Sequence, residues 1–328
     1  MEQRFVEIIQ LIKESQSKAI KAVNTELMNL YWRIGKYISA RIETSEWGQS
    51  VVKELAFFIK QHEPELKGFS DKNLWRMKQF YETYRSSERL SALTRELSWT
   101  NNVLIFSRTK TVEEKEFYLK LTIEEKYSSR ELERQINSSV FERTMIGNVK
   151  LSSLPREFEV DINKAFKDSY VFDFLNLPES YNEGDLQKGL LRQMKDFILE
   201  LGRDFLFIDQ EYKVQVGNSD FYIDLLFFHR GLQCLVAFEL KVDKFKPEHL
   251  GQLNFYLEAL DRDVKRSNEN ASIGVLLCKD KDSEVVEYAL SRSLSPTVVA
   301  EYKTQLPDKK LLQQKLHELF EQADNSDI

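Results

Sequence analysis

The sequence predicts a chain of two domains and two fold types: a helical N-terminal domain, then an α/β domain built on a mixed sheet. Three observations carry this. The 328 residues are enough for two independent cores at ~150 residues per domain. Apolar residues recur at helical spacing through the first 145 positions. From about residue 185 the pattern changes to helix, strands, helix, strand, the order of a layered α/β unit. The predicted division is 1–150 helical, 151–183 connecting, 184–305 α/β, and 306–328 a C-terminal helix and tail.

In the first domain, Phe5, Ile8, Ile9 and Ile12 share a helical face, as do Leu27, Leu30, Tyr31, Ile34 and Ile38. Ser70 follows the loop Lys67-Gly68-Phe69 and precedes Leu74, Met77, Phe80, Tyr81 and Tyr84, so it reads as an N-cap. Thr111-Val-Glu-Glu114 and Ser128-Ser-Arg-Glu131 have capping-box spacing. The connecting segment contains Leu154-Pro155 and Leu177-Pro178, which interrupt a long helix. Residues 168–175 are too apolar for a solvated linker and are expected to pack on a domain. In the second domain a helix is predicted over 185–201, with Gly202 as its stop. Strands follow at 205–208, 212–216, 221–228, 233–241 and 273–278, and a helix opens at Pro247. The tail from Gln322 should fray.

Composition removes several classes of function. Eleven glycines include no G-x-G pair, so there is no dinucleotide or kinase loop, and no G-x-x-x-x-G-K for a P-loop. No Ser lies in G-x-S-x-G. The histidines, His62, His229, His249 and His317, and the isolated Cys234 and Cys278 lack zinc spacing. Any chemistry must rest on carboxylates and lysine, with or without a hard metal. Two cysteines, no signal-peptide layout at the start and no transmembrane-length apolar run point to a cytoplasmic protein without a membrane partner. Residues 1–150 carry 25 Lys and Arg against 21 Asp and Glu, whereas the whole chain has 47 against 53. The first domain is therefore mildly basic, which by itself is weak evidence for a polyanionic partner.

The informative stretch is Phe221-Tyr-Ile-Asp-Leu-Leu-Phe-Phe228, then His229-Arg-Gly-Leu-Gln233, then Cys234-Leu-Val-Ala-Phe-Glu-Leu-Lys241. Two apolar strands flank a turn in which Gly231-Leu232 suits a two-residue hairpin. That register sets Asp224 opposite Glu239 and places Lys241 on the face of Glu239. Two carboxylates so placed in an apolar sheet repel each other. A shared proton relieves this, and so does a divalent cation held by oxygen ligands. The alternative is a salt-bridged edge strand in which Lys241 pairs Glu239 or Asp224. The next helix adds His249, Gln252 and Tyr256 as a polar ridge. Lys244 and Lys246, between strand and helix, are placed where a phosphate backbone could be met.

Asp224 with Glu239-Leu240-Lys241, in helix–strand–strand–strand–helix–strand order, resembles the PD-(D/E)xK nuclease superfamily. The wider text, Phe221 to His229, Lys244-Phe-Lys-Pro247 and Gly251-Gln-Leu-Asn-Phe-Tyr-Leu257, resembles the YhcG-like family of bacterial nucleases. Ala22-Val-Asn24, Leu30-Tyr-Trp32, Gly68-Phe-Ser70, Leu97-Ser-Trp99 and Ser128 to Ile136 resemble that family's helical domain, and the likeness covers roughly residues 5–305. It implies a restriction-endonuclease-like core and a metal-dependent endonuclease acting on DNA. Asp224 and Glu239 would be metal ligands with the Leu240 carbonyl, the ion being Mg²⁺ or Mn²⁺. Lys241 would orient or activate the attacking water. Gln252 and Tyr256 would be accessory residues. The helical domain would bind DNA or a partner, with Lys72, Arg76 and Lys78 as its expected nucleic-acid surface, and a homodimer is a candidate assembly. Two departures stand out. Gln187 occupies the place where a Glu on the first core helix is expected, with Glu183 or Asp185 as substitutes if that helix starts earlier. Asn101 stands where many relatives carry His. The neutral Gln187 leaves a second reading open, a catalytically inactive adaptor that binds DNA or a protein.

Overall fold

A computed structural model describes residues 2–44, 49–147, 165–291, 293 and 295–326. The chain divides into two compact units, 1–136 and 137–328. The Leu154-Pro155 interruption lies outside the described residues, as do the last two residues of the tail.

The regular elements described in the first unit are helices: α1 Glu2–Glu43, α2 Gln49–His62, α3 Asp71–Tyr84, α4 Glu88–Thr94, α5 Trp99–Arg108, α6 Val112–Glu124 and α7 Ser129–Asn137. The two apolar faces read near the N-terminus belong to one 42-residue helix. Its second half is buried through Met28, Tyr31 and Ile38 against Val52, Leu74 and Met77. Gly35 permits the close crossing with α3, because a Cβ there would lie 2.1 Å from the Met77 carbonyl oxygen. Ser70 caps α3 by accepting from the Asn73 N–H at 3.3 Å. Ser128 and Glu131 form a reciprocal box. Thr111 caps the Glu114 N–H, but Glu114 turns its carboxylate to the Lys110 N–H. Asn101 is buried, its amide donating to the Tyr127 carbonyl at 3.0 Å, an internal tie between α5 and the turn before α7.

The second unit comprises α8 Val140–Ile146, β1 Ser169–Val171, α9 Glu183–Arg192, α10 Met194–Leu201, β2 Phe205–Val216, β3 Ser219–His229, β4 Cys234–Leu240, α11 His249–Ala259 with a π-helical last turn to Val264, β5 Ile273–Cys278, α12 Ser283–Leu290, β6 Thr297–Lys303 and α13 Lys309–Ser326. Among the described residues six strands form one mixed sheet in the order β1-β6-β5-β4-β3-β2. The pairs β1–β6, β6–β5 and β5–β4 are parallel, and β4–β3 and β3–β2 are antiparallel. Each face is covered. Leu186, Leu190 and Phe197 of the first helix pair pack with Leu225, Phe227, Val236 and Phe238 on one side. Leu250, Leu253 and Leu257 of α11 pack with Leu226, Leu235, Ala237 and Leu276 on the other. Strands buried on both faces read as continuous apolar runs, which is why β4 and β5 stand out in the sequence.

Several sequence expectations are refined. The helix predicted over 185–201 begins at Glu183 and is broken at Gln193, whose φ of −111° and ψ of 33° leave the helical region. The strands at 205–208 and 212–216 are one strand with an irregularity between Phe207 and Asp209. The apolar segment 168–175 supplies the edge strand β1. The β3–β4 turn spans four residues, because His229 pairs with Cys234 and Gln233 takes the left-handed φ of 52°. The register is nevertheless that of the two-residue turn, since Leu225 pairs with Phe238.

Candidate active site

Asp224 lies where both neighbouring ladders let go. The β3–β4 pairing ends at Leu225–Phe238. The β2–β3 pairing runs through Gln210–Leu225 and Tyr212–Ile223 and skips the position between them. There Glu211 adopts φ 46°, uncommon for a residue with a side chain and a sign of local strain. The freed Asp224 carboxylate accepts from the Leu240 N–H at 2.8 Å. Its backbone carbonyl accepts from the Gln187 side-chain amide at 2.9 Å. In a strand the N–H and C=O of one residue point to the same side. The Leu240 carbonyl is therefore turned toward Asp224.

Glu239 is 2% exposed. One carboxylate oxygen, Oε1, lies 2.9 Å from Lys241 Nζ, and the other, Oε2, is buried with no hydrogen-bond partner among the described residues. Burial, reinforced by the neighbouring Asp224 charge, pushes the Glu239 carboxyl up to about 7. Burial likewise raises Asp224, against the Leu240 N–H and the Lys241 charge. The expected salt-bridged alternative is half present: Lys241 does pair with Glu239, but β4 lies inside the sheet and not at its edge. Lys241 also reaches Glu183 Oε2 at 3.4 Å.

The helix that starts before Gln187 delivers Glu183. Asn182 caps α9 by accepting from the Asp185 N–H at 2.9 Å, and Asp185 returns the bond to the Asn182 N–H at 3.1 Å. Asp185 is thus consumed by the capping box, and Gln187 by the Asp224 backbone. On the opposite face, Tyr256 is buried at 3% exposure and its hydroxyl accepts from Gln252 Nε2 at 2.6 Å. Burial raises that hydroxyl above the ordinary tyrosine range, and Glu239, Asp224 and Lys241 are near enough to act on it electrostatically. His249 Nδ1 accepts from the Lys246 N–H at 3.3 Å, and burial lowers its ring below the ordinary histidine range.

The lysines expected to meet nucleic acid differ in availability. Lys72 is exposed, Arg76 is half-buried, and Lys78 is ion-paired with Glu82 at 2.7 Å. Lys246 is exposed, and Lys244 pairs loosely with Asp280 at 3.8 Å.

A hard divalent ion fits this donor set. The set offers only oxygen ligands, one of them an unpartnered buried carboxylate oxygen, which is costly unless something binds it. Among the described residues no three His, Cys, Asp or Glu side chains gather into a metal cluster. Among the described residues no helix is long and apolar enough to cross a membrane.

The sheet, its acidic pair and a match of residues 163–317 to the YhcG PDDEXK nuclease domain define the class: a nuclease-type mixed α/β core following a helical region. Residues 7–143 match the DUF1016 N-terminal domain. The chain is 32% identical to "Putative nuclease YhcG" of Escherichia coli (strain K12), over 94% of this chain and 92% of that protein. The chain belongs to the YhcG family of PDDEXK nucleases. Two solved structures are also similar. A repair endonuclease from Pyrococcus abyssi is 15% identical over 40% of this chain and 50% of that one, with a TM-score of 0.26. EndoMS in complex with double-stranded DNA is 16% identical over 41% of this chain and 49% of that one, with a TM-score of 0.26. This chain spans about half the length of each of these two structures.

Proposed function

We propose that this protein is a divalent-metal-dependent endonuclease that hydrolyses phosphodiester bonds in DNA. The observation that carries the reading is the buried Glu239 carboxylate, with one oxygen on Lys241 and the other unpartnered, beside the raised Asp224. Asp224, Glu239 and the Leu240 carbonyl would hold Mg²⁺ or Mn²⁺. The ion would supply Lewis acidity toward the scissile phosphate and favour deprotonation of a water. Lys241 would donate to that water or to a non-bridging phosphate oxygen, so its ammonium offsets charge developing in the transition state. Gln187 fixes the Asp224 backbone and so orients the carboxylate. Gln252 and Tyr256, joined to each other, would form the wall of the site on the α11 side. Lys246 and Lys244 would meet the phosphate backbone next to the centre, and Lys72 and Arg76 would do so on the helical unit.

The test is cleavage of duplex DNA, single-stranded DNA and RNA with Mg²⁺ or Mn²⁺, wild type against Glu239→Ala. The reading predicts cleavage of DNA that disappears with chelator and with Glu239→Ala. The adaptor reading, which the neutral Gln187 favours, predicts binding without cleavage in every arm.

A further inference from the structure

We propose that Glu183 is a positioning residue, the anion that holds the Lys241 ammonium in place once Glu239 turns its carboxylate to a divalent ion. The inference rests on the metal-dependent reading of the site. Lys241 now stands between two carboxylates, Glu239 Oε1 at 2.9 Å and Glu183 Oε2 at 3.4 Å. The nearer of these is the group that a divalent ion would occupy. An ion on the unpartnered Oε2 draws on the charge of the same carboxylate that holds Lys241 and repels the ammonium, which weakens the Oε1 contact. Lysine has a flexible four-carbon stem and no preorganised fork, so it needs a second anchor to stay over the site.

Only one residue of α9 is placed to be that anchor. Asp185 is committed to the Asn182 backbone, and Gln187, one turn on, is neutral and tied to the Asp224 carbonyl. Glu183 is the first residue of the helix, where the exposed N–H groups favour a negative charge. Its side chain is half-exposed and therefore able to follow the lysine. The chain thus places its negative charge one turn earlier than Gln187 and directs it to Lys241.

The experiment uses the full chain and its Glu183→Gln and Glu183→Asp variants. Mn²⁺ binding is measured by calorimetry, and plasmid cleavage is measured at saturating Mn²⁺. A positioning role predicts that Glu183→Gln keeps its Mn²⁺ affinity within about threefold of wild type. It also predicts a kcat lower by on the order of 10²-fold at unchanged KM, the usual cost of a small misplacement. Glu183→Asp should recover part of that loss, and both variants should melt near the wild-type temperature. A tenfold or greater loss of Mn²⁺ affinity in Glu183→Gln makes Glu183 a ligand and overturns the proposal. A wild-type kcat in Glu183→Gln overturns it as well, as does a Glu183→Asp variant no better than Glu183→Gln. If wild type itself binds no Mn²⁺, the metal reading fails first, an outcome distinct from the other three.

Discussion

The Asp224 carboxylate accepts a hydrogen bond from the backbone N–H of Leu240 at 2.8 Å, across the point where the β3–β4 ladder ends. A side chain here does what a backbone carbonyl does elsewhere in the sheet, and it keeps its second oxygen for the site. Asparagine can still accept that bond through its side-chain oxygen. Asp224→Asn should therefore melt near wild type while losing cleavage by at least 10²-fold. Asp224→Ala leaves the Leu240 N–H unpaired and should lose about 1–3 kcal/mol of stability as well. Denaturant melts beside cleavage rates separate the two effects.

Stability without metal should depend on pH in a direction opposite to that of an ordinary ion-paired carboxylate. The folded state raises Glu239 to about 7 and raises Asp224 too, so it binds their protons more tightly than the unfolded chain does. Below the unfolded carboxylate range both states are protonated and nothing is lost. As pH climbs through that range toward about 7, the native state is left with ionised, crowded acids and loses stability. The melting temperature of metal-free protein should fall between pH 5 and pH 8, by more in wild type than in Glu239→Gln. Added Mg²⁺ should raise it more at pH 8 than at pH 5. A Glu239→Gln variant with the same pH slope as wild type would refute this assignment of the proton.

Gln187→Glu is expected to harm the protein. The Gln187 amide donates to the Asp224 carbonyl, and a glutamate offers that carbonyl only acceptors. The variant should lose about 1–3 kcal/mol of stability, and its cleavage rate should not exceed wild type. Gln187→Glu with raised stability or raised activity would show that the residue faces the acidic pair and not the backbone.

On the helical unit, Lys72 and Arg76 are the cations of α3 proposed to meet phosphate, and Lys78 is held by Glu82. Lys72→Glu with Arg76→Glu should weaken DNA binding and reduce the salt-dependence slope by about two units. Lys78→Gln should change neither by more than a small amount. Fluorescence anisotropy across a salt series measures both quantities.

The strand register that leads to the candidate site is legible in the sequence because apolar strands set it. A one-residue slip would turn Phe227 and Phe238 to the wrong face, so the register up to Leu225–Phe238, where the ladder ends one pair short of Asp224 and Glu239, follows from the pattern alone. What was hidden is backbone behaviour. Nothing in Gln210-Glu211-Tyr212 announces a left-handed Glu211, because a glycine is the usual signal for that conformation. The polar run at 209–211 breaks the strand pattern although the strand continues through it. Strand β6 carries a weak sequence signal because the apolar run Thr297-Val-Val-Ala is short and directly follows Pro296; its β-branched residues are the available signal. Glu183 was visible only as a substitute for Gln187, since the helix start depends on Asn182 and not on the apolar periodicity.

In the proposed mechanism the Asp224–Glu239 pair binds a divalent ion used in cleavage. The most direct measurement is calorimetric titration of Mg²⁺ and Mn²⁺ into wild type and Glu239→Gln, each with and without duplex DNA, the same samples being assayed for cleavage. The account predicts one saturable site in wild type and DNA cleavage that tracks its occupancy. In Glu239→Gln both should be lost, with DNA binding retained. Wild type that binds DNA without taking up either ion would contradict the account and leave the protein a nuclease-fold adaptor.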